Sequence, residues 1–568
     1  MKTQLSKLLT LCITLLLSHS NFSQSANWIW AKTVQSSTTL LSESKICSIN
    51  SNQTIYSGNY FNSITIGTTT HTMASGQKGG IIIKYDASGM PMWSKNFGPF
   101  YHPSSGGYTA IVDVETNSLG EIFALGSFST SITFDGNTLN GTGKISMYLL
   151  KLDANGNYIW GKAFTSGQRV LPKDLHIDNN GIYVTGMFTG SQMTLGTYTL
   201  ANNMTANGTE YEDFFITKLD LNGNTQWANK NVSFQGGREI GKAVTTNTLG
   251  EVYVAGEMRD GGVTTFGTYT LSSPSGSAGE DAFIVKYDSN GNAMWANKVG
   301  SSNIDYVAGL VIDNTGNPTL VGSYYGTIFS ASTNTITNSG SSTSDVYALN
   351  ITPSGGYNWL KKVTNGTGDD LAADVAIDNN NNVSIIGKFS SGSITAGGST
   401  LSPAGGTDMF LIKLNSAGND VLGVSAGAMF LDDGTSVAVD SNNDVYVTGQ
   451  YAFNVIFGSL PALSGGFSAT NYIAKLSDAV PTGINNFIDA QTLSFKVSPN
   501  PANQSIYIQG VNFNDGVQVK IMSIDGKIMK DEMINQSIFN ISDLNTGMYF
   551  MELTDSSGKT GVAKFIKE

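Results

Sequence analysis

An interval of nine residues, repeated without variation, constrains this chain more than any other feature. A Lys, an Asp two residues on, a Gly three further and a Trp four beyond recur as Lys84/Asp86/Gly89/Trp93, Lys151/Asp153/Gly156/Trp160, Lys218/Asp220/Gly223/Trp227 and Lys286/Asp288/Gly291/Trp295. Two looser copies, Asn350/Thr352/Gly355/Trp359 and Lys413/Asn415/Gly418/Leu422, keep the register. An interval that never changes predicts a tight β-hairpin. Asp bonds its own turn backbone, and Gly accepts the positive φ that such a turn requires.

The hairpins sit in a longer period. Trp30, Trp93, Trp160, Trp227, Trp295, Trp359 and Leu422 are spaced by 63, 67, 67, 68, 64 and 63 residues. Short apolar runs also end in glycine at Gly58, Gly126, Gly186, Gly256, Gly322, Gly387 and Gly449. Each period therefore holds four strands: A (LVID, 310–313), B (VYVAG, 252–256), C (FIVKYD, 283–288) and D (AMWANK, 293–298). Between B and C lies a variable stretch such as TTFGTYTL (264–271), expected to hold an extra hairpin. The strands are near-continuous apolar runs, as in small sheets covered on both faces. Four-stranded units repeated radially make a β-propeller.

Strand order decides closure. The chain has seven A, B and C runs, but the seventh C run, NYIAKLSD (471–478), leads into PTGINN with no hairpin after it. The missing D run stands at the other end, as NWIWAK (27–32) with Trp30. The expectation is an all-β fold with a seven-bladed propeller whose N-terminal strand completes the last blade. An open solenoid would need polar caps, which the sequence lacks.

The remaining composition narrows function by exclusion. Charged residues are only 13%, about half the usual ~25%. A net charge of −12 argues against nucleic acid or an anionic membrane as partner, since both need a basic face. Residues 1–25 read as an export signal, with Lys2 and Lys7 before the apolar Leu8–Leu17. No later stretch is apolar enough for a transmembrane helix. Beyond the signal only Cys47 remains, so no internal disulfide is expected.

The repeats, over roughly residues 26–477, resemble the β-propeller repeats of many exported bacterial proteins. Their D-x-x-G-x-x-x-W turn is similar to that of quinoprotein and outer-membrane-assembly propellers. Sialidase Asp boxes differ, since they hold Asp and Trp two residues closer together. After a linker-like segment at 478–491, residues 492–568 alternate apolar and polar positions like half-buried strands of a small Ig-like sandwich. At Pro499, Asn500, Pro501, Asp525, Gly526, Lys527, Leu544, Gly547 and Tyr549 this tail resembles the type A C-terminal sorting domain of the Bacteroidetes type IX secretion system. The resemblance implies the type IX machinery as partner and passage through the periplasm to the cell surface, outer membrane or medium.

Chemistry is harder to find. The strand-C lysines are expected to lie along their blades with ammonium groups at the solvent edge. The tryptophans are expected to pack between blades. The D-x-x-G turns lack the alternate ligands and bidentate Glu of a calcium loop. Two GxxxxGK matches, Gly236–Lys242 and Gly156–Lys162, lack the following Ser/Thr and a helix. No metal or cofactor is expected, and no catalytic residues are assigned.

One pattern remains. Glu239, Asp305, Asp370 and Asp432 stand eight residues before Asn247, Asp313, Asp378 and Asp440. This predicts an acidic arc at the D-to-A connections around one channel mouth, with Tyr101, His102 and Arg169 nearby. Such an arc could take a cation, a basic group or a glycan, or its carboxylates could cap their own loops. The leading expectation is a non-catalytic binding or adhesion module with a glycan or surface-protein ligand. The alternative is a polysaccharide-active enzyme using arc carboxylates as acid and base.

Overall fold

The computed structural model describes residues 27–34, 44–49, 52–75, 77–100, 111–203, 211–234, 237–259, 263–272, 279–340, 342–466, 469–477, 493, 495–523, 527–556 and 560–568. All regular structure among them is strand. The chain divides into two compact units, Met1–Asp478 and Ala479–Glu568. The export signal, the linker, Tyr101, His102, Asp525 and Gly526 lie outside the described residues.

The first unit is an all-β propeller. Within each repeat, strands A, B, C and D pair antiparallel in chain order. Repeat 4, for example, runs Arg238–Thr246, Val252–Arg259, Glu280–Tyr287 and Ala293–Val299. The A strands of the other repeats are Lys45–Ile49, Ile111–Thr116, Arg169–Asp178, Asp305–Ile312, Asp370–Ile377 and Asp432–Val439. In the last sheet the outer position is filled by Asn27–Val34, which pairs antiparallel with Thr470–Ser477, Trp30 opposite Lys475.

The variable B-to-C stretch does form a hairpin, and it reaches across to the preceding repeat. Ser131–Phe134 of repeat 2 pairs with strand D of repeat 1 at Thr133 and Gly98. Gln192–Leu195 does the same to repeat 2, and Asn454–Phe457 to repeat 6.

Cores lie between neighbouring sheets. One holds Leu149 and Phe123 of repeat 2 with Val184 and Phe215 of repeat 3. Another brings Tyr446 and Ile473 of the last repeat against Trp30, Tyr56 and Ile81. B strands are almost entirely buried, as in GIYVTGMFT, Gly181–Thr189. Each such apolar side chain contributes about 1.5–3 kcal/mol relative to exposure.

Three sets of contacts fasten repeat to repeat. At the turn face, each tryptophan covers the turn glycine of the next repeat. Gly89 (φ +74°) faces Trp30, Gly156 faces Trp93, Gly291 faces Trp227 and Gly418 faces Trp359. The indole N–H then donates to that turn: Trp30 to Ala87 O at 2.9 Å, Trp227 to Ser289 O at 3.1 Å and Trp359 to Ser416 O at 3.0 Å. This is the inter-repeat packing expected of the tryptophans.

The strand-C lysines form the second set, and here the expectation of a solvent-edge ammonium is corrected. Lys84, Lys151, Lys286, Lys413 and Lys475 are all buried. Lys151, Lys286, Lys413 and Lys475 meet Glu121, Glu251, Asp378 and Asp444 of their own A–B turns at 2.8, 2.8, 3.1 and 2.7 Å. Lys84 and Lys286 also donate to carbonyls of the next repeat's hairpin, Ala154 and Pro353. A buried ammonium needs such a partner, because unpaired it would lose its hydration without return.

The third set runs along the innermost strands. A polar side chain of each repeat accepts a backbone N–H from strand A of the next: Ile111 to Asn59 (3.1 Å), Leu175 to Asp113 (3.1 Å), Val244 to Asp174 (2.7 Å), Val307 to Glu257 (3.0 Å), Ala372 to Ser323 (2.9 Å) and Val437 to Asp374 (3.1 Å). The amide of Ile46 donates to Ser436 Oγ at 3.3 Å, returning from the last repeat to the first.

The second unit has two sheets around one core. Lys496–Ser498, Ser505–Gln509 and Ile538–Asn540 form one. Ile528–Ile534, Val517–Ser523, Gly547–Asp555 and Thr560–Lys567 form the other, and Ile506, Val519, Met551 and Phe565 pack between them.

Candidate functional site

The site is built from a bulge that recurs in strand A. Pairing with strand B slips by one residue between Pro172 and Asp174, Gly241 and Ala243, Val307 and Gly309, Ala372 and Asp374, and Gly434 and Ser436. The bulge explains the glycine that ends the B run in these repeats. At Gly256, Gly322 and Gly449 a Cβ would collide with the carbonyl of Ile240, Tyr306 or Asp433 on the bulged strand. A bulge re-aims the extra side chain. The extra residues here are Lys173, Lys242, Ala308, Ala373 and Thr435, and all of them line a cavity of about 470 Å³.

Lys45, Lys388, Asp433 and Tyr306 complete its wall. Lys388 meets Asp433 at 3.0 Å, Lys242 meets Glu257 at 3.1 Å and Lys45 meets Asp374 at 3.7 Å. Tyr306 is 36% exposed and sits edge-on to Tyr325, ring centres 6.1 Å apart. Four lysines and the single carboxylate Asp433 thus line a cavity that also holds Ala308, Ala372 and Ala373.

The cavity shares lysines 45, 173 and 242 with a second space of about 480 Å³, the lumen enclosed by the A strands. Asp113, Asp174, Asp374 and Lys45 face one another there, with Cys47, Glu115 and His176 two residues further along their strands. Burial pushes the Asp113 carboxyl up to about 6, and Lys45 counteracts it. Burial also raises Asp174, with the negative Asp113 adding to it. The Cys47 thiol is driven well above its usual range by burial and by Glu115, which leaves it a poor nucleophile. Burial works against the His176 imidazolium, yet Glu115, 3.6 Å from Nδ1, holds it above the ordinary value. Nε2 lies 3.1 Å from Thr246 Oγ1.

Glu239, Asp305, Asp370 and Asp432 are not on this lining. Each stands at or beside the first residue of an A strand with no exposed surface, so they present no acidic arc to solvent. Asp305 accepts from Ser301 N at 2.6 Å and Ser301 Oγ at 2.8 Å. Asp432 accepts from Ala428 N at 2.7 Å, and Glu239 from Asn231 Nδ2 at 2.7 Å and from the Ser233 hydroxyl. Burial pushes Asp305 up to about 8, and Glu239, Asp370 and Asp432 up to about 7. Arg169 pairs with Glu212 at 3.6 Å.

Sequence reasoning missed the cavity because its side chains come from bulges. The one signal was the recurring glycine at the end of the B runs, which in repeats 3 to 7 lies opposite a bulge.

In the second unit, Asn500 ties the Pro499–Pro501 bend to the last strand. Its Nδ2 donates to Lys564 O at 3.1 Å, and its Oδ1 accepts from Ile566 N at 2.9 Å. Tyr549 donates to Asn545 O at 3.0 Å and stacks on Phe565, and Leu544 is buried in the same core. Gly547 begins a strand, and the carbonyl of Lys527 accepts from Ser523 N at 3.0 Å.

Residues 496–568 match the family described as "Secretion system C-terminal sorting domain". The chain is thus an all-β repeat protein carrying a secretion-system sorting domain, a tail that marks it for the cell surface or exterior. It is 21% identical over 487 residues to an uncharacterized WD repeat-containing protein of Acanthamoeba polyphaga mimivirus, covering 72% of this chain and 34% of the viral protein. The chain thus spans about a third of that relative. Among solved structures it is similar to a PL25 ulvan lyase (8% identity, TM-score 0.38, covering 78% of this chain and 97% of the lyase). It is also similar to PorZ, a surface component of the type IX secretion system of Porphyromonas gingivalis (10% identity, TM-score 0.15, covering 95% and 100%).

Proposed function

We propose that this is an exported, non-catalytic binding module. In this reading a seven-bladed propeller, closed by its N-terminal strand, presents a glycan site at the bulge-lined end of its channel. The Ig-like tail is the address read by the type IX machinery after a cleaved signal has carried the chain into the periplasm. The observation that carries the binding reading is the 470 Å³ cavity itself, with lysines from several repeats beside Asp433 and Tyr306. Charged hydrogen-bonding groups beside an aromatic face suit a hydroxyl-rich ligand, and concave sites with few convergent polar groups are where ligands bind.

The channel carboxylates support the non-catalytic half. Asp113, Asp174 and Asp374 already accept backbone amides of the next repeat, as structural acceptors do. A glycosidase needs a pair free to exchange protons with substrate. The ring of inner-strand hydrogen bonds returning from Ser436 to Ile46 supports closure at seven repeats. Screening the purified propeller on a glycan array tests the reading. Binding should appear, and Tyr306→Ala and Lys173→Ala should each abolish it without lowering the melting temperature. An array with no retained glycan contradicts it.

A further inference from the structure

Four times in the propeller, a carboxylate at the start of strand C lies beside one at the start of the following strand A. The pairs are Asp213 with Glu239, Asp281 with Asp305, Asp345 with Asp370, and Asp408 with Asp432. All eight residues are at least 96% buried. Two carboxylates this close in a low-dielectric interior repel strongly unless something positive joins them.

In three pairs the positive group is a lysine from strand D, always opposite the residue two beyond the first acid. Lys230 lies opposite Phe215, Lys298 opposite Phe283 and Lys362 opposite Tyr347. Their ammonium groups stand 3.5, 2.9 and 3.8 Å from Asp213, Asp281 and Asp345. In the fourth pair the same position, opposite Phe410, is Ser425. No described lysine, arginine or histidine lies within salt-bridge distance of Asp408 or Asp432. The nearby Lys388 is engaged by Asp433, which Thr407 Oγ1 also holds at 2.9 Å.

The geometry around this pair is otherwise that of its sisters. Asp281 and Asp305 both crowd Gly300, and Asp408 likewise packs on Gly427 while Asp432 accepts from Ala428 N. Asp408 Oδ2 accepts from the Ala404 amide, while Asp408 Oδ1 and Asp432 Oδ1 are buried with no hydrogen-bond partner, as are oxygens of Asp213, Glu239, Asp345 and Asp370 in two of the sister pairs. Main-chain carbonyls of Ala428 and Met429 press against Gly405, where no side chain would fit. Two buried carboxylate oxygens without a protein donor are hard, negatively charged ligands of the kind a divalent cation takes.

We propose that a calcium-like divalent cation binds between Asp408 and Asp432, in the place that a lysine ammonium fills in the three sister pairs. The inference is independent of the glycan reading, because neither acid lines the channel cavity. The competing arrangement is a single proton shared by the two carboxyls, as in acid dyads.

Calorimetric titration of the full-length protein with CaCl₂ after chelator treatment, paired with thermal unfolding in chelator and in millimolar Ca²⁺, separates the two. One equivalent should bind and raise the unfolding midpoint. Asp408→Asn should weaken binding at least about tenfold, the loss of one charged ligand. Should that variant fail to fold, Ser425→Lys serves instead. It supplies the missing ammonium, so it should fold, unfold at the same midpoint with or without Ca²⁺, and bind no calcium. Absence of binding in the wild type, or an undiminished equivalent in Ser425→Lys, would overturn the proposal.

Discussion

The indole nitrogen of Trp30 donates to the carbonyl of Ala87 at 2.9 Å across 57 residues of sequence. The same ring covers Gly89. Trp30 lies on the strand that pairs with Thr470–Ser477, so one side chain joins the end of the repeat array to its start. Every other inter-repeat tryptophan contact links neighbours in sequence. This one links the last sheet to the hairpin turn of the first repeat.

Removing it should therefore cost more than a typical surface change. Trp30 is 7% exposed, and Trp→Ala at a buried site costs ~3–5 kcal/mol. Denaturant unfolding of Trp30→Ala should show a loss in that range. A variant as stable as the parent would show that the N-terminal strand is not part of the array.

The turn glycines separate two effects. Gly89 and Gly136 both have positive φ, +74° and +80°, but a Cβ on Gly89 would lie 2.8 Å from the Trp30 ring, while Gly136 has open space. Gly136→Ala should cost only the left-handed backbone term, ~1–2 kcal/mol. Gly89→Ala should cost clearly more, and the excess should vanish in a Trp30→Ala background. Equal costs for the two single changes would mean the ring does not rest on Gly89.

The Lys413–Asp378 pair, 3.1 Å apart with both side chains almost wholly buried, makes a third case. Breaking a buried pair from one side costs ~3–5 kcal/mol, because a charge is left without compensation. Lys413→Met should lose about that much. Adding Asp378→Asn should recover part of it, since Asn can still accept from the amides of Asn380 and Asn382 as Asp378 does. No recovery in a double-mutant cycle would count against a buried ion pair here.

The repeat was legible in sequence because its markers are backbone requirements. All six hairpin turns place a glycine at positive φ, and the tryptophan, or Leu422 in the last copy, falls four residues downstream. The ionic pairing of the lysines was not legible. Lys286 meets Glu251, 35 residues earlier, and nothing local distinguishes that lysine from one at a solvent edge. The acidic residues were found by their spacing but assigned to the wrong surface. Strand alternation turns Asp433 toward the cavity and Asp432 into the protein, a difference of one residue that the spacing argument could not resolve.

Those buried acids give a pH dependence of definite sign. Burial raises Asp305 to about 8 and Glu239 and Asp370 to about 7 in the folded protein, against roughly 4 when unfolded. Below pH 4 both states are protonated and the native state is unpenalised. Between pH 4 and 8 the unfolded chain gives up protons that the folded one keeps, so stability falls as pH rises, by up to about 1.4 kcal/mol per unit for each such group. Unfolding midpoints measured from pH 5 to pH 8 should decline, and Asp305→Asn should flatten the slope. A rise over that range would contradict it.

Export with surface display is the claim on which the functional account depends. Its most direct measurement is protease accessibility of the propeller on intact cells of the native host, comparing the full chain with one ending at Asp478. The account predicts an accessible propeller on cells making the full chain. The shortened chain should give a folded propeller that is protected until the outer membrane is opened. A shortened chain equally accessible on intact cells would contradict the account, because residues 479–568 would then not direct it outward.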